Sequence, residues 1–80
     1  MNLRQVEAFQ ALMETQSVTK AGKLLFISQP AVSRLIADFE EAVGFKLFER
    51  RKGRLYPTAE AKLLHKEGEK AFIGLKQLEK

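Results

Sequence analysis

The stretch ISQPAVSRLI, residues 27–36, joins polar residues to apolar residues at helical spacing. Ser28 is suited to cap a helix whose first turn contains Pro30, because the missing proline N–H costs nothing at that place. The apolar residues recur at intervals of three and four: Val32, Leu35, Ile36, Phe39 and Val43. Gly44 follows, where a left-handed cap ends a helix. The spacing predicts a helix over 29–43 that buries its apolar stripe and exposes its polar start.

The composition limits the class of protein to which this helix can belong. The 80 residues are 45% hydrophobic and 30% charged, which is typical of a single small globular domain and not of a disordered segment. There is no cysteine, so no disulfide can stabilise the fold. Arg4 and Glu7 interrupt the start where a signal peptide would be apolar, and no stretch approaches the ~20 apolar residues of a membrane span. We therefore expect a cytoplasmic protein with no membrane partner.

Other patterns predict the elements around helix 29–43. Asn2, with Gln5 three residues later, predicts a capped helix over 3–15. Ser17 predicts the start of a helix of only about two turns. The segment FKLFERRKGRLYPT, residues 45–58, has apolar pairs on both sides of a charged tip and predicts a hairpin that turns at Lys52-Gly53. Thr58 predicts the cap of a last helix that runs from residue 59 to the end.

Two short helices, a tight turn and a basic hairpin are the parts of a winged helix-turn-helix. We predict a mainly α fold: three helices and a short β-hairpin wing over 1–57, then a long dimerisation helix over 58–80. The formal net charge of +4 favours a polyanionic partner such as nucleic acid.

The start of helix 29–43 is the candidate base-reading surface. Gln29 is suited to adenine or phosphate, and Arg34 to guanine or phosphate, while the short Ser33 lets the helix enter a major groove. The basic wing, 46–54, is suited to the DNA backbone or the minor groove. The predicted DNA-binding residues are Ser28, Gln29, Pro30, Ser33, Arg34, Arg50, Arg51, Lys52 and Arg54.

Structural roles for the same residues stay open. Ser28 and Pro30 can simply start the helix, Arg34 can pair with Asp38 four residues on, and the basic hairpin can be a solvated turn. Two other functions also remain: a helical protein-interaction or dimerisation module, and a non-specific nucleic-acid binder.

The last helix carries a narrow apolar seam. Its residues are spaced by three and four: Ala61, Leu64, Gly68, Ala71, Leu75 and Leu78. A helix of about 22 residues extends roughly 33 Å, more than three small helices cover, so the seam predicts a dimer. The helical pattern still runs at residue 80, and we expect the chain to be part of something larger.

The sequence has few of the residues that catalysis commonly requires. His65 is the only histidine, cysteine is absent, and no phosphate-binding glycine loop occurs. We expect His65 to lie at the surface or at an interface. The sequence predicts no catalytic, cofactor or metal site, and no enzyme.

Three stretches together resemble the N-terminal domain of a LysR-type transcriptional regulator: NLRQVEAF at 2–9, SVTKAGKLLFISQPAVSRLIADFEEAVGFKLFERR at 17–51 and RLYPTAEA at 54–61. The resemblance covers nearly the whole chain, and its most specific part is SQPAVSRLI followed by LFER. The wing is more similar to regulators of amino-acid or opine metabolism than to other branches. Gly22 departs from the family, which commonly has alanine there, and Ala61 stands where the family often has glycine.

The resemblance implies a bacterial transcription factor that binds an interrupted inverted repeat as a dimer paired through its linker helix. Gln29, Pro30, Ser33 and Arg34 match the recognition-helix positions of the family, and residues 50–54 match its wing. It also implies a C-terminal domain, not contained in these 80 residues, that senses a small-molecule effector, and a tetramer that bends promoter DNA at full length.

Overall fold

The computed structural model describes the backbone of residues 2–78 and the side chains of residues 2–68. The elements follow in the order α1 (Leu3–Thr15), α2 (Val18–Leu25), α3 (Gln29–Val43), β1 (Phe48–Arg51), β2 (Arg54–Pro57) and α4 (Ala59–Leu78). This order confirms the predicted mainly α fold with a hairpin wing and a long last helix. No helix in the described part of the chain is long and apolar enough to cross a membrane.

α1 begins with the predicted reciprocal cap. The N–H of Gln5 donates to Oδ1 of Asn2 at 2.9 Å, and the N–H of Asn2 donates to Oε1 of Gln5 at 3.2 Å. Two backbone donors that the helix leaves unpaired are thereby satisfied. The helix ends at Gln16, which adopts the left-handed conformation with φ 53°.

α2 and α3 are joined by a tight turn with a cap on each side. Ser17 caps α2 by accepting from the N–H of Lys20, and Ser28 caps α3 by accepting from the N–H of Ala31. Between them, Phe26 takes the left-handed conformation that closes α2, with φ 58°. The predicted start of α3 at Ser28 is confirmed.

Gly22 lies where the turn folds back on α2. The N–H of Ile27 donates to the carbonyl of Gly22 at 3.0 Å. A Cβ atom added to Gly22 would lie 2.7 Å from the carbonyl oxygen of Ile27. The glycine therefore permits a close approach of two backbone segments, which accounts for its presence inside a helix in spite of its low helix propensity.

Aromatic side chains hold the core together. The rings of Phe9 and Phe39 meet edge to face with centroids 5.6 Å apart, and Phe48 lies 6.0 Å from Phe9. The largest fully buried side chains are Phe39, Leu12, Leu47 and Val32. One core thus receives side chains from α1, α3 and the start of the hairpin.

The hairpin turns where the sequence predicts. Lys52 and Gly53 both have positive φ, 49° and 77°, and Arg51 pairs with Arg54 across the turn. Two consecutive positive φ angles are typical of the turn type that matches strand twist in two-residue hairpins.

α4 is attached to the core at its start. Thr58 caps α4 by accepting from the N–H of Ala61 at 3.1 Å, and its hydroxyl donates to the carbonyl of Lys46 at 2.8 Å. The imidazole of His65 packs its ring against Phe9 with centroids 6.0 Å apart. His65 is half-buried, so it lies partly at the surface, and its ring contact with Phe9 helps to join α4 to α1.

Gly22 and Gly68 both lie in helices but differ in their surroundings, and therefore in the expected effect of alanine. Gly68 has no atom within 4 Å of an added Cβ, so Gly68→Ala should raise the free energy of unfolding by about 0.5–1 kcal/mol through helix propensity. Gly22→Ala should not show this gain, because the backbone carbonyl of Ile27 would have to move. Urea denaturation followed by circular dichroism measures both; equal gains would contradict the close approach at Gly22.

Candidate nucleic-acid interface

The start of α3 presents an exposed polar surface. All five predicted residues of this helix start are exposed: Ser28, Gln29, Pro30, Ser33 and Arg34. The opposite face of α3 is anchored in the core by Val32, Ile36 and Phe39. The rotation of α3 about its axis is therefore set by burial, and the candidate base-reading residues face solvent as the spacing predicts.

Ser28 has the structural role that the sequence left open, whereas Arg34 does not. The hydroxyl of Ser28 does accept the capping hydrogen bond from Ala31, at 3.2 Å, so this residue has a structural role. Arg34 and Asp38, both described, form no ion pair with each other. The guanidinium of Arg34 is therefore not engaged by the acid four residues away.

The wing places its cations on two faces. Cross-strand pairing sets Arg50 opposite Leu55, on the face that also carries the buried Phe48. Arg51 lies on the other face, where its Nη2 is 3.1 Å from Oε2 of Glu49 and its guanidinium lies 5.5 Å from the ring centre of Tyr56. Arg50 thus faces α3, whereas Arg51 is engaged by neighbours within the wing.

Three adjoining grooves connect α3, the wing and α2. The wing groove, about 320 Å³, is lined by Ser33, Ala37, Lys46 and Arg50 among others. The central groove is lined by Thr19, Gln29, Arg50 and Arg54 among others. The turn groove is lined by Thr19, Lys23, Phe26, Ser28 and Gln29 among others. Because Arg50 borders the first two grooves and Gln29 the last two, they form one continuous surface.

The sequence did not reveal the part that α2 has in this surface. Thr19, in the first turn of α2, lines both the central groove and the turn groove. Its neighbour Ser17, the N-cap of α2, also lines the central groove. A hydroxyl-rich helix start beside basic residues was the available signal, since helix N-termini favour anions.

Glu40 is a second residue that sequence reasoning missed. Its Oε2 accepts from the N–H of Leu47 at 2.7 Å and from the N–H of Phe48 at 3.4 Å. The carboxylate is half-buried and spans from α3 to the beginning of β1. It thus holds the wing against α3, so that Ser33 and Arg50 border the same groove.

The predicted dimer seam divides into three parts. Ala61 is 0% exposed and belongs to the core of its own domain, so its side chain is not available to a second chain. Leu64 is half-buried and packs on the same core, while Gly68 has open space beside it. Ala71, Leu75 and Leu78 lie outside the residues whose side chains are described. The first turns of the seam therefore serve the attachment of α4 to its own domain.

Among the described residues, no group of three or more His, Asp or Glu side chains is arranged to hold a metal ion. The chemistry available in the grooves is hydrogen bonding by amides and hydroxyls and attraction of anions by guanidinium and ammonium groups.

Residues 3–62 match the family described as bacterial regulatory helix-turn-helix protein, lysR family. The octopine catabolism/uptake operon regulatory protein OccR of Rhizobium meliloti is 54% identical over 78 residues, which are 98% of this chain and 26% of that protein. The transcriptional activator protein LysR of Escherichia coli K12 is 46% identical over 78 residues, 98% of this chain and 25% of that protein. The chain spans about a quarter of the length of these relatives.

Solved structures of similar fold include complexes with DNA. The BenM DNA-binding domain in complex with benA site 1 DNA has a TM-score of 0.90 and 36% identity, and the match covers 98% of this chain and 88% of that chain. The CbnR DNA-binding domain in complex with DNA has a TM-score of 0.89 and 26% identity, covering 96% of this chain and 88% of that chain.

We expect Glu40→Ala to lower the free energy of unfolding by about 1.5–3 kcal/mol, because two backbone donors lose a charged acceptor. The loss of stability should be greatest near the two lost hydrogen bonds. Amide hydrogen exchange at Leu47 and Phe48 should therefore accelerate more than exchange in α1. Glu41→Ala is the matched control, since Glu41 is exposed, and it should change stability by less than about 0.5 kcal/mol. Equal effects of the two variants would contradict the anchoring role of Glu40.

Proposed function

The chain belongs to the lysR family of bacterial regulatory helix-turn-helix proteins, and on this premise we propose that it binds double-stranded promoter DNA in a sequence-specific manner. The observation that carries the proposal is the continuous surface on which Gln29 of α3, Thr19 of α2 and Arg50 of the wing border shared grooves. Membership in a regulatory family also agrees with the prediction that the chain is not an enzyme.

α3 enters the major groove with its N-terminal half. A major groove about 12 Å wide admits one helix, provided that the side chains facing the bases are short. Ser33 and Ala37 satisfy this condition on the exposed face. Arg34 then contacts guanine and Gln29 contacts adenine, and a bidentate contact of either kind adds about 1–3 kcal/mol of discrimination.

The wing supplies contacts to the DNA backbone or the minor groove. Arg50, Lys52 and Arg54 are exposed. Such contacts add affinity that falls with salt, because bound cations release counterions from the phosphates. Arg51 contributes less, since its guanidinium is bonded to Glu49 and lies over Tyr56.

The protein acts as a homodimer on an interrupted inverted repeat, paired through α4. Two copies related by a two-fold axis place two α3 helices on two half-sites. The surface of α4 for this contact comes after its first turns, because Ala61 and Leu64 pack on their own domain. In a full-length regulator of this family, an effector-binding domain for a small molecule and a tetramer would complete the assembly.

Arg34 and Arg50 should differ in how their loss changes binding. Arg34→Ala should reduce the preference for a selected duplex over a random one by about tenfold, because a base contact is lost. Arg50→Ala should weaken binding to both duplexes alike and lower the slope of log affinity against log salt by about 1. Fluorescence anisotropy titrations with a duplex selected from a random pool measure both effects.

Arg4→Ala is the matched charge control for these titrations. Arg4 lies on α1, where it pairs with Glu7 at 3.8 Å. Arg4→Ala should leave the affinity for both duplexes and the slope of log affinity against log salt nearly unchanged. Identical affinity of the unaltered protein for selected and random duplexes would instead indicate a non-specific nucleic-acid binder.

The proposed dimer is tested by sedimentation equilibrium. We expect the unaltered chain to associate and Leu75→Asp to shift it toward the monomer, because a carboxylate in an apolar seam is costly to bury. Gln77→Asp is the control, since the spacing of residue 77 puts it off the predicted seam. A monomer at all concentrations, or equal effects of both variants, would contradict pairing through this seam.

A further inference from the structure

Phe26 combines two properties that folding alone does not favour. Its side chain is 94% exposed, the most exposed of the large hydrophobic residues for which exposure is described. Its backbone is left-handed, with φ 58° and ψ 42°. Helices commonly end on glycine or asparagine in this conformation, because a larger side chain is strained there. An exposed ring in a strained position makes no contribution to the core that would explain its presence.

The surroundings of Phe26 belong to the proposed DNA-binding surface. The ring borders the turn groove together with Ser28 and Gln29 at the start of α3. Gln29 also borders the central groove, which contains Arg50 and Arg54. Phe26 therefore extends the same surface beyond the recognition residues, on the side of the turn between α2 and α3.

The charges around Phe26 fit a nucleic acid better than a protein partner of mixed charge. Residues 15–37 contain Lys20, Lys23 and Arg34 and no acidic residue. Lys23 lines the turn groove beside the ring. An apolar group in a groove that contains a lysine and no acidic residue is suited to a polyanion that also offers apolar patches.

We propose that Phe26 is an apolar contact to duplex DNA, with its ring packed against either a thymine C5-methyl group or a deoxyribose next to the base read by Gln29. This inference rests on the proposed function and adds a residue to it. The thymine methyl is the apolar group that base edges present in the major groove, and deoxyribose is the apolar part of the backbone. Phe26 then contributes affinity in both cases and sequence preference in the first.

The backbone conformation supplies a way to separate contact from folding. Asparagine tolerates the left-handed conformation better than phenylalanine, so Phe26→Asn should keep or raise the thermal midpoint of unfolding. The same variant should bind the selected duplex about tenfold more weakly, because the apolar contact is lost. Affinity thus falls without a loss of stability, which a merely structural role of Phe26 would not produce.

The experiment is an anisotropy titration of the unaltered protein, Phe26→Asn, Phe26→Tyr and Leu24→Ala on the selected duplex. Phe26→Tyr keeps the ring and should retain the affinity. Leu24 is a second exposed apolar residue, 55% exposed, but it lines a different groove with Glu7 and Glu14. Leu24→Ala should therefore leave the affinity unchanged.

A second arm distinguishes the two sources of the contact. Each thymine in the duplex is replaced in turn by deoxyuridine, which removes one methyl group. A loss of about three- to fourfold at one position for the unaltered protein, absent for Phe26→Asn, identifies the thymine methyl. Weaker binding of Phe26→Asn with no coupling to any thymine identifies the deoxyribose.

Other outcomes overturn the inference. Unchanged affinity of Phe26→Asn on a duplex that the unaltered protein binds specifically would exclude the contact and leave the proposed function intact. Unchanged affinity together with a lower sedimentation mass would assign the ring to a protein contact. Failure of the unaltered protein to select any duplex would overturn the proposed function and this inference together.

Discussion

The carboxylate of Glu40 is the link on which the geometry of the candidate interface depends. It belongs to α3, yet it accepts hydrogen bonds from the backbone of Leu47 and Phe48, where the hairpin begins. A two-stranded hairpin is only marginally stable by itself in water, so its orientation must come from contacts elsewhere. With Glu40 on one side and the Thr58 hydroxyl bonded to the carbonyl of Lys46 on the other, both ends of the hairpin are held. These hydrogen bonds fix the position of the hairpin relative to α3.

The same argument extends to α4. Thr58 caps this helix, Ala61 is enclosed in the core and His65 packs on Phe9. Because Phe9 also contacts Phe39 of α3, the direction in which α4 leaves the domain is coupled to the orientation of α3. In the proposed dimer, the distance between the two α3 helices would then follow from how two α4 helices pair. The rings of His65, Phe9 and Phe39 thus connect the proposed pairing surface to the proposed reading surface.

The turn between α2 and α3 places closely packed and exposed residues within a few positions of one another. Gly22 allows the backbone to fold back on α2, and Ser28 starts α3 with its cap, so both are explained by local geometry. Phe26 lies between them and is explained by neither, since its ring is exposed and its backbone is left-handed. A residue that departs from local preference without a gain in packing is expected at functional sites. Its place beside Gln29 is consistent with the surface proposed for DNA.

Local patterns in the sequence were sufficient for the helices, their caps and the hairpin turn. Asn2, Ser17, Ser28 and Thr58 were recognised as caps, because a cap depends on residues only three or four positions away. The exposed face of α3 also followed from the sequence, since helical spacing and a clear apolar stripe fix which side is buried. Contacts between distant segments were decided only by the tertiary structure. Spacing along one element does not relate the residues that take part in these contacts. The contacts are the hydrogen bonds from the hairpin to Glu40, the burial of Ala61, the packing of His65 on Phe9 and the position of Thr19 in the groove surface. An apolar stripe on α4 has the same pattern whether it meets its own core or a second chain, and only the three-dimensional packing assigned its first turns to the core.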